Sequence, residues 1–331
     1  MDTLFTFEQH VTFDELSRAN FDFFKQGELL SLENESCINK YYKLYYDSQN
    51  KIPFYHCLPT LNHATHDRKF RFLIVEIGDD TVFFAYKIIQ IMTTRQIRVF
   101  DSPISIKGNM ANVVNVFDVL KNKTFVRFAF GEYACNTFLA VNNAQRLVEY
   151  DNYYYTRQKV LSMSRAKLKK RGIIDLIEND MFSIRVSCTI SKDDAILIRN
   201  DFNKYLRETN KKTSKADDNE FFNVATCANN KLKCVSVYYK NKIVYCSVFL
   251  VLLELKVAYK LYDMQSRYYD ERDSVLKKTL SLNMTEKMKY IAFKVFKDID
   301  VIYILGCMPN EHRLIKHKEM KCEGKIKYYI Q

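Results

Sequence analysis

One order of elements occurs twice along this chain of 331 residues, and that duplication limits the folds open to it. Phe70–Ile77 and Thr81–Met92 are rich in β-branched and aromatic residues and flank a turn at Gly78-Asp79-Asp80, the pattern of a hairpin. A short strand at Gln96–Asp101, an apolar-periodic helix at Met110–Leu120 and a strand at Phe125–Phe130 follow. About 160 residues further on, Leu232–Tyr239, a turn at Lys240-Asn241-Lys242 and Ile243–Leu253 form a second hairpin. Then come a strand at Lys256–Tyr262, helices at Asp273–Leu282 and Thr285–Phe296, and a buried strand at Ile299–Leu305. Sequence identity between the copies is negligible, so the repeat lies in the order of elements. The expected fold class is α+β (an α/β mixed sheet), with two domains at 1–150 and 151–331. Each is a mixed, largely antiparallel sheet flanked by helices.

The remaining segments fill in around this frame. Phe13, Leu16, Phe21 and Phe24 recur at helix-like spacing, Leu29–Tyr46 carries a second such stretch, and Pro53 and Pro59 interrupt the pattern. Glu132–Tyr150 reads as helix, and Tyr153–Gly172 as a basic helix stopped at Gly172. A strand at Phe182–Thr189 precedes Ser191, which stands three positions before Asp194 and caps a helix over Ala195–Asn210. Lys211–Asn219 reads as a polar loop, 311–320 as a helix and Lys325–Ile330 as a final strand.

Charge divides the two halves. Residues 1–150 hold 16 Lys and Arg against 17 acids, and residues 151–331 hold 35 against 22. The second half therefore attracts polyanions, either nucleic acid or a phosphorylated donor. The densest run, Arg157 to Arg171, has seven cations in fifteen residues and no acid. Arg165, Lys167, Lys169, Lys170 and Arg171 are its candidate phosphate contacts; the bland alternative is a solvated charged face.

Other classes lose support. The longest apolar run, Ile243 to Leu253, is too short to span a bilayer and reads as buried strand, so no membrane partner is expected. MDTLFTFEQH lacks the basic start and apolar core of a signal peptide, an expectation of a cytoplasmic protein, or of host cytoplasm if the gene is viral. Richness in Lys, Asn, Tyr, Ile and Phe suits an AT-rich genome, viral ones included. Nine cysteines contain no Cys-x-x-Cys pair, so reduced thiols are expected, without zinc. His56, His63 and His66, with Asp67, contain a His-x-x-His spacing but no fourth strong ligand nearby, and a polar loop is the simpler reading. There is no P-loop, no Gly-x-Ser-x-Gly elbow and no His-Glu-x-x-His.

From Asp151 onward the chain resembles a known group. NYYYTRQKVLSMSRAKLKKRG is similar to the basic helix that opens the second domain of duplicated GNAT-fold acyltransferases, the branch with the FemX-type aminoacyltransferases. VSVYYKNKIVYCSVFL resembles their central hairpin, and YILGCMPNEHRLIKHKEM their late strand, turn and Leu-x-x-x-Lys helix. The resemblance implies two tandem GNAT-like domains, a degenerate one at 1–150 and a basic one at 151–331 with the active cleft. It implies acyl or aminoacyl transfer to an amine or hydroxyl, extending to a DNA base or tRNA. The donor would be acyl-CoA or aminoacyl-tRNA, with no metal. In that fold neighbouring strands splay to admit the donor, here near Tyr262 and Ile304.

One departure bears on the donor. Simple GNAT enzymes hold the acyl-CoA pyrophosphate on a Gly-rich loop at a helix start, where backbone N–H groups face the phosphates. The corresponding stretch here is QSRYYDERDSVLKK, and no glycine lies between Gly172 and Gly306. Side chains would take over that role: Arg267, Arg272, Lys277 and Lys278, with Tyr268 and Tyr269 stacking on a base or simply packing under a loop. Asn310, Glu311 and His312 follow a strand end, where Glu311 or His312 can act as general base; capping by Asn310, with Glu311 in the first helical turn, is the alternative. Lys316 and Lys318 pair an anion or coat a surface helix. A non-catalytic protein that uses this fold to bind nucleic acid or a protein remains the rival function.

Overall fold

The computed structural model describes residues 10–26, 28–29, 70–91, 93–131, 148–208, 215–226, 231–253, 256–266, 273–281, 284–307 and 322–330. The chain forms two compact units, one built on Met1–Asn152 with the last strand, the other on Tyr153–Leu305 with Cys322–Gly324.

In the first unit, β1 (His10–Thr12), β2 (Glu28–Leu29), β3 (Phe70–Ile77), β4 (Asp80–Ile91), β5 (Thr94–Ser105) and β6 (Val126–Gly131) make a mixed sheet. Its order is β1-β3-β4-β5-β6, with β2 beside β3. The first hairpin turns at Gly78, whose φ of 64° lies in the left-handed region that a side chain resists. The strand at Gly324–Ile330, β13, pairs antiparallel with β6 (Tyr328↔Gly131), so it completes the first sheet although sequence order assigned it to the second copy. One face packs on α1 (Phe13–Arg18) and α2 (Met110–Lys121). Leu16, Val116 and Leu120 are fully buried there against Tyr86, Ile97, Val99 and Phe128. Thr12 and Glu15 form a reciprocal capping box that starts α1, and Asn109 caps α2.

The second unit has the strand order β7-β12-β11-β10-β9-β8. These are β7 (Val148–Thr156), β8 (Phe182–Ser187), β9 (Leu232–Tyr239), β10 (Lys242–Leu252), β11 (Val257–Gln265) and β12 (Val301–Cys307). Every residue of β10 after Lys242 is buried, as the uninterrupted apolar run requires. Lys240 and Asn241 both have positive φ, 47° and 65°, the pattern of a type I′ turn that suits the twist of a two-residue hairpin. Helices α3 (Arg157–Leu161), α4 (Arg165–Lys170), α5 (Ile173–Ile177), α6 (Lys192–Glu208), α7 (Lys215–Thr226), α8 (Ser274–Ser281) and α9 (Met284–Val295) accompany the sheet.

The duplication extends to pairing register. β5 and β6 run parallel from Ile97↔Val126 to Phe100↔Ala129, and there the ladder ends; β11 and β12 run parallel from Val257↔Val301 to Lys260↔Ile304 and end likewise. In both units the next residues bulge away from the preceding strand, 101–103 in one and Leu261 in the other. Phe100 and Lys260 therefore occupy equivalent places.

Three expectations are corrected. Val148–Tyr150 belongs to strand β7, not to a helix. Tyr153–Gly172 is not one helix: Tyr153–Thr156 finish β7, with Tyr153 and Tyr155 buried, and the helices at Arg157–Leu161 and Arg165–Lys170 are separate. Ser164 breaks the run because its Oγ accepts the Lys167 N–H and so starts a new helix. The expected loop at Lys211–Asn219 is helical from Lys215. The stretch at 29–46, apart from Leu29, and the segments 132–147 and 311–320 lie outside the described residues.

Candidate active site

The end of the β11–β12 ladder is where the second unit gathers its polar groups. Lys260 is the last residue of β11 paired with β12, and the strand continues to Gln265 along β10 without β12 beside it. Residues three apart on a regular strand point to opposite faces. The bulge at Leu261 reverses that alternation, so Lys260 and Asp263 share a face, with Lys260 Nζ 2.5 Å from Asp263 Oδ2. Asp263 also accepts hydrogen bonds from Tyr245 and Ser247 on β10, and from Thr285 in the first turn of α9 at 3.3 Å. Four donors from two strands and a helix hold this carboxylate. Burial, followed by the negative Asp263, pushes the Tyr245 hydroxyl well above its usual range, so it stays a hydrogen-bond donor.

From the next residue of α9 a second charged set begins. Glu286 accepts from Lys289 Nζ at 2.5 Å and from Arg171 Nη1 at 2.6 Å. The Lys289 ammonium sits 3.6 Å from the centroid of the Tyr155 ring. Burial lowers Lys289 to about 8, against the opposing pull of Glu286, so this amine titrates close to neutrality. Cys322 adjoins Tyr155, held there by Glu323, whose N–H donates to the Tyr154 carbonyl at 3.0 Å and whose carboxylate accepts from Thr156. A rigid carboxylate, two lysines and buried hydroxyls at a strand opening can orient a carbonyl, receive developing negative charge and pass a proton.

The residues expected from sequence fare unevenly. Asn310, Glu311, His312, Lys316, Lys318, Arg267, Tyr268, Tyr269 and Arg272 lie outside the described residues, as do His56, His63, His66 and Asp67. Lys277 is exposed on α8, and Lys278 lies beside it in sequence. At the start of α8 Asp273 caps the helix: its Oδ1 accepts the Leu276 N–H at 3.1 Å, while Oδ2 accepts from Tyr239 at 2.6 Å and Lys240 at 3.3 Å. The start of α8 thus already holds a carboxylate of its own.

The basic run is dispersed. Arg157 turns inward and donates to the carbonyls of Phe293 and Phe296 at 2.8 and 3.0 Å, closing the end of α9. Arg165 pairs with Glu178 at 3.3 Å and Arg171 with Glu286, whereas Lys167, Lys169 and Lys170 are exposed. Beside them a pocket of about 640 Å³ is lined chiefly by Leu168, Ile173, Ile177, Ile184, Val186 and Ile291. Among the described residues no cluster of metal-ligating side chains occurs, and no helix is long and apolar enough to cross a membrane.

Sequence reasoning missed Lys260, Asp263, Glu286 and Lys289. Two local signals exist: a Glu-x-x-Lys spacing on a helix for Glu286 and Lys289, and a Lys-x-x-Asp spacing within a strand for Lys260 and Asp263, which places an ion pair on one face only if the strand bulges.

No family model matches the chain, and no curated protein matches it in sequence. Solved structures do match. A conserved protein of unknown function from Bacteroides thetaiotaomicron shares 13% identity over 92% of this chain and 98% of its own, with a TM-score of 0.58. L-PGS from Bacillus licheniformis gives 11%, 92%, 93% and 0.54, and FemX gives 8%, 81%, 89% and 0.51. With the duplicated ladders and bulges, these matches identify the fold: the chain is built as two GNAT-like units in tandem, the fold it shares with FemX.

Proposed function

We propose that the chain is an acyl- or aminoacyl-transferase that works at the strand opening of its second unit. The observation that carries this reading is the parallel ladder ending at Lys260–Ile304, with the Asp263 cluster at its end. Transfer of this kind needs little covalent chemistry from the protein: donor carbonyl and acceptor are held together, and the oxyanion is stabilised as it forms. Lys260 takes the latter role. Asp263 is its positioning residue, and Lys289 exchanges the proton. The Asp273 carboxylate at the start of α8 favours a donor carried by nucleic acid, such as aminoacyl-tRNA, over acyl-CoA.

The test is a panel of acyl-CoAs and aminoacyl-tRNAs, following both thermal stabilisation and donor consumption. Consumption of a donor is the expected result. Stabilisation by nucleic acid with no donor ever consumed would leave only a binding role. If tRNA docks on α4, Lys169→Glu with Lys170→Glu weakens it and reduces the slope of log affinity against log salt by about 2, one unit per lost phosphate contact. An unchanged slope, read by filter binding across a salt series, removes α4 from the interface.

A further inference from the structure

The duplicated register makes each unit a control for the other. In the second unit one row across the sheet reads Val251, Ala258, Ile302, directly opposite one another and all buried. The equivalent row of the first unit reads Lys87, Arg98, Arg127, again directly opposite one another. Three apolar positions have become three cations on adjacent strands, where like charges in register repel. General basicity does not account for them, because the first half has one more acid than base. The row lies on the face turned away from α1 and α2, since its neighbours Tyr86, Ile97, Val99, Val126 and Phe128 fill the core on the other side.

All three side chains are half-buried, and Arg98 Nε is buried without a hydrogen-bond partner. Arg127 Nη1 donates to the carbonyls of Thr124 and Val126, at 2.9 and 2.8 Å, which fixes the guanidinium without neutralising it. Among the described residues neither arginine has a carboxylate partner. A half-buried guanidinium in register with a second one is stable when an anion joins them, and planar guanidinium forks match phosphate oxygens two at a time.

We infer that the Lys87–Arg98–Arg127 row is a binding site for the phosphoryl group of a compact phosphorylated ligand, separate from the strand opening of the second unit. The half-buried setting selects a small oxyanion over a long nucleic-acid backbone, which needs an open surface.

Inorganic pyrophosphate is the probe, with thermal unfolding of the full chain followed at constant ionic strength. The expected result is a saturable rise in melting temperature. Arg98→Ala and Arg127→Ile, which install the residues of the second unit, should each weaken binding at least tenfold and raise the melting temperature in the absence of anion. Lys169→Glu with Lys170→Glu should leave the response intact. Three results would overturn the proposal. One is a lack of saturable response. Another is that both variants lower anion-free stability and leave the response unchanged, which would mean an internal acid pairs the row. The third is that a single-stranded RNA binds in an Arg98-dependent manner while pyrophosphate does not.

Discussion

Glu286→Leu should cost about 3–5 kcal/mol of folding stability at pH 7, because it strands a buried ammonium. The Lys289 side chain is 6% exposed and the Glu286 side chain 9%, so neither can turn to water when its partner goes. Arg171, 36% exposed, is rehydrated more easily and adds little to the loss. The double variant Glu286→Leu with Lys289→Met should recover most of the stability, since an apolar pair of similar volume replaces both charges. The cost should also shrink as pH rises. Burial depresses Lys289 to about 8 from an ordinary 10.5, so between those values the unfolded chain binds more protons and stability increases with pH. Above about 9.5 the amine is mostly neutral in the folded protein and no longer needs its carboxylate. Urea denaturation at pH 7 and pH 9.5 measures this; an equal penalty at both would show that Glu286 acts through Arg171 instead.

Lys287 obeys the same linkage on the neighbouring position of α9. Its side chain is fully buried, Nζ donates to the Thr279 carbonyl at 2.6 Å, and burial lowers it to about 8. It ties α9 to α8, so the two buried lysines have different partners although they differ by two positions.

Both hairpins were legible because the physics there is local: β-branched and aromatic runs around Gly78 and around Lys240-Asn241. Where the reading failed, a residue served a partner far along the chain. Tyr153–Thr156 carries strand-forming residues, but the cations after it suggested a continuous helix, and nothing nearby shows that Arg157 is needed at the end of α9. The candidate site was hidden for the same reason. Asp263 is defined by Tyr245 and Ser247 on the preceding strand and by Thr285 on a later helix, a set that only the register and a bulge bring together. The expectation of splayed strands near Tyr262 and Ile304 agrees with the end of the parallel ladder at Lys260–Ile304, but it names none of the side chains gathered there.

Lys260→Met should lower turnover by about 10²–10³-fold with the donor KM little changed, the signature of losing a group that stabilises the transition state. Methionine keeps the length and packing of the lysine stem, and the side chain is 11% exposed, so the fold has little reason to change. Lys260→Arg retains the charge and should recover part of the rate. Asp263→Asn is the companion. Asparagine can still accept from Tyr245 and Ser247, but it turns an amide donor toward Lys260 and Thr285, which are donors themselves. It should therefore depress turnover through misplacement of Lys260, and combining it with Lys260→Met should add little further loss, as for two residues that act as one unit. Full turnover in Lys260→Met, with donor consumption at the unmodified rate, would make the cluster a structural brace for the end of the ladder and move the chemistry elsewhere in the opening.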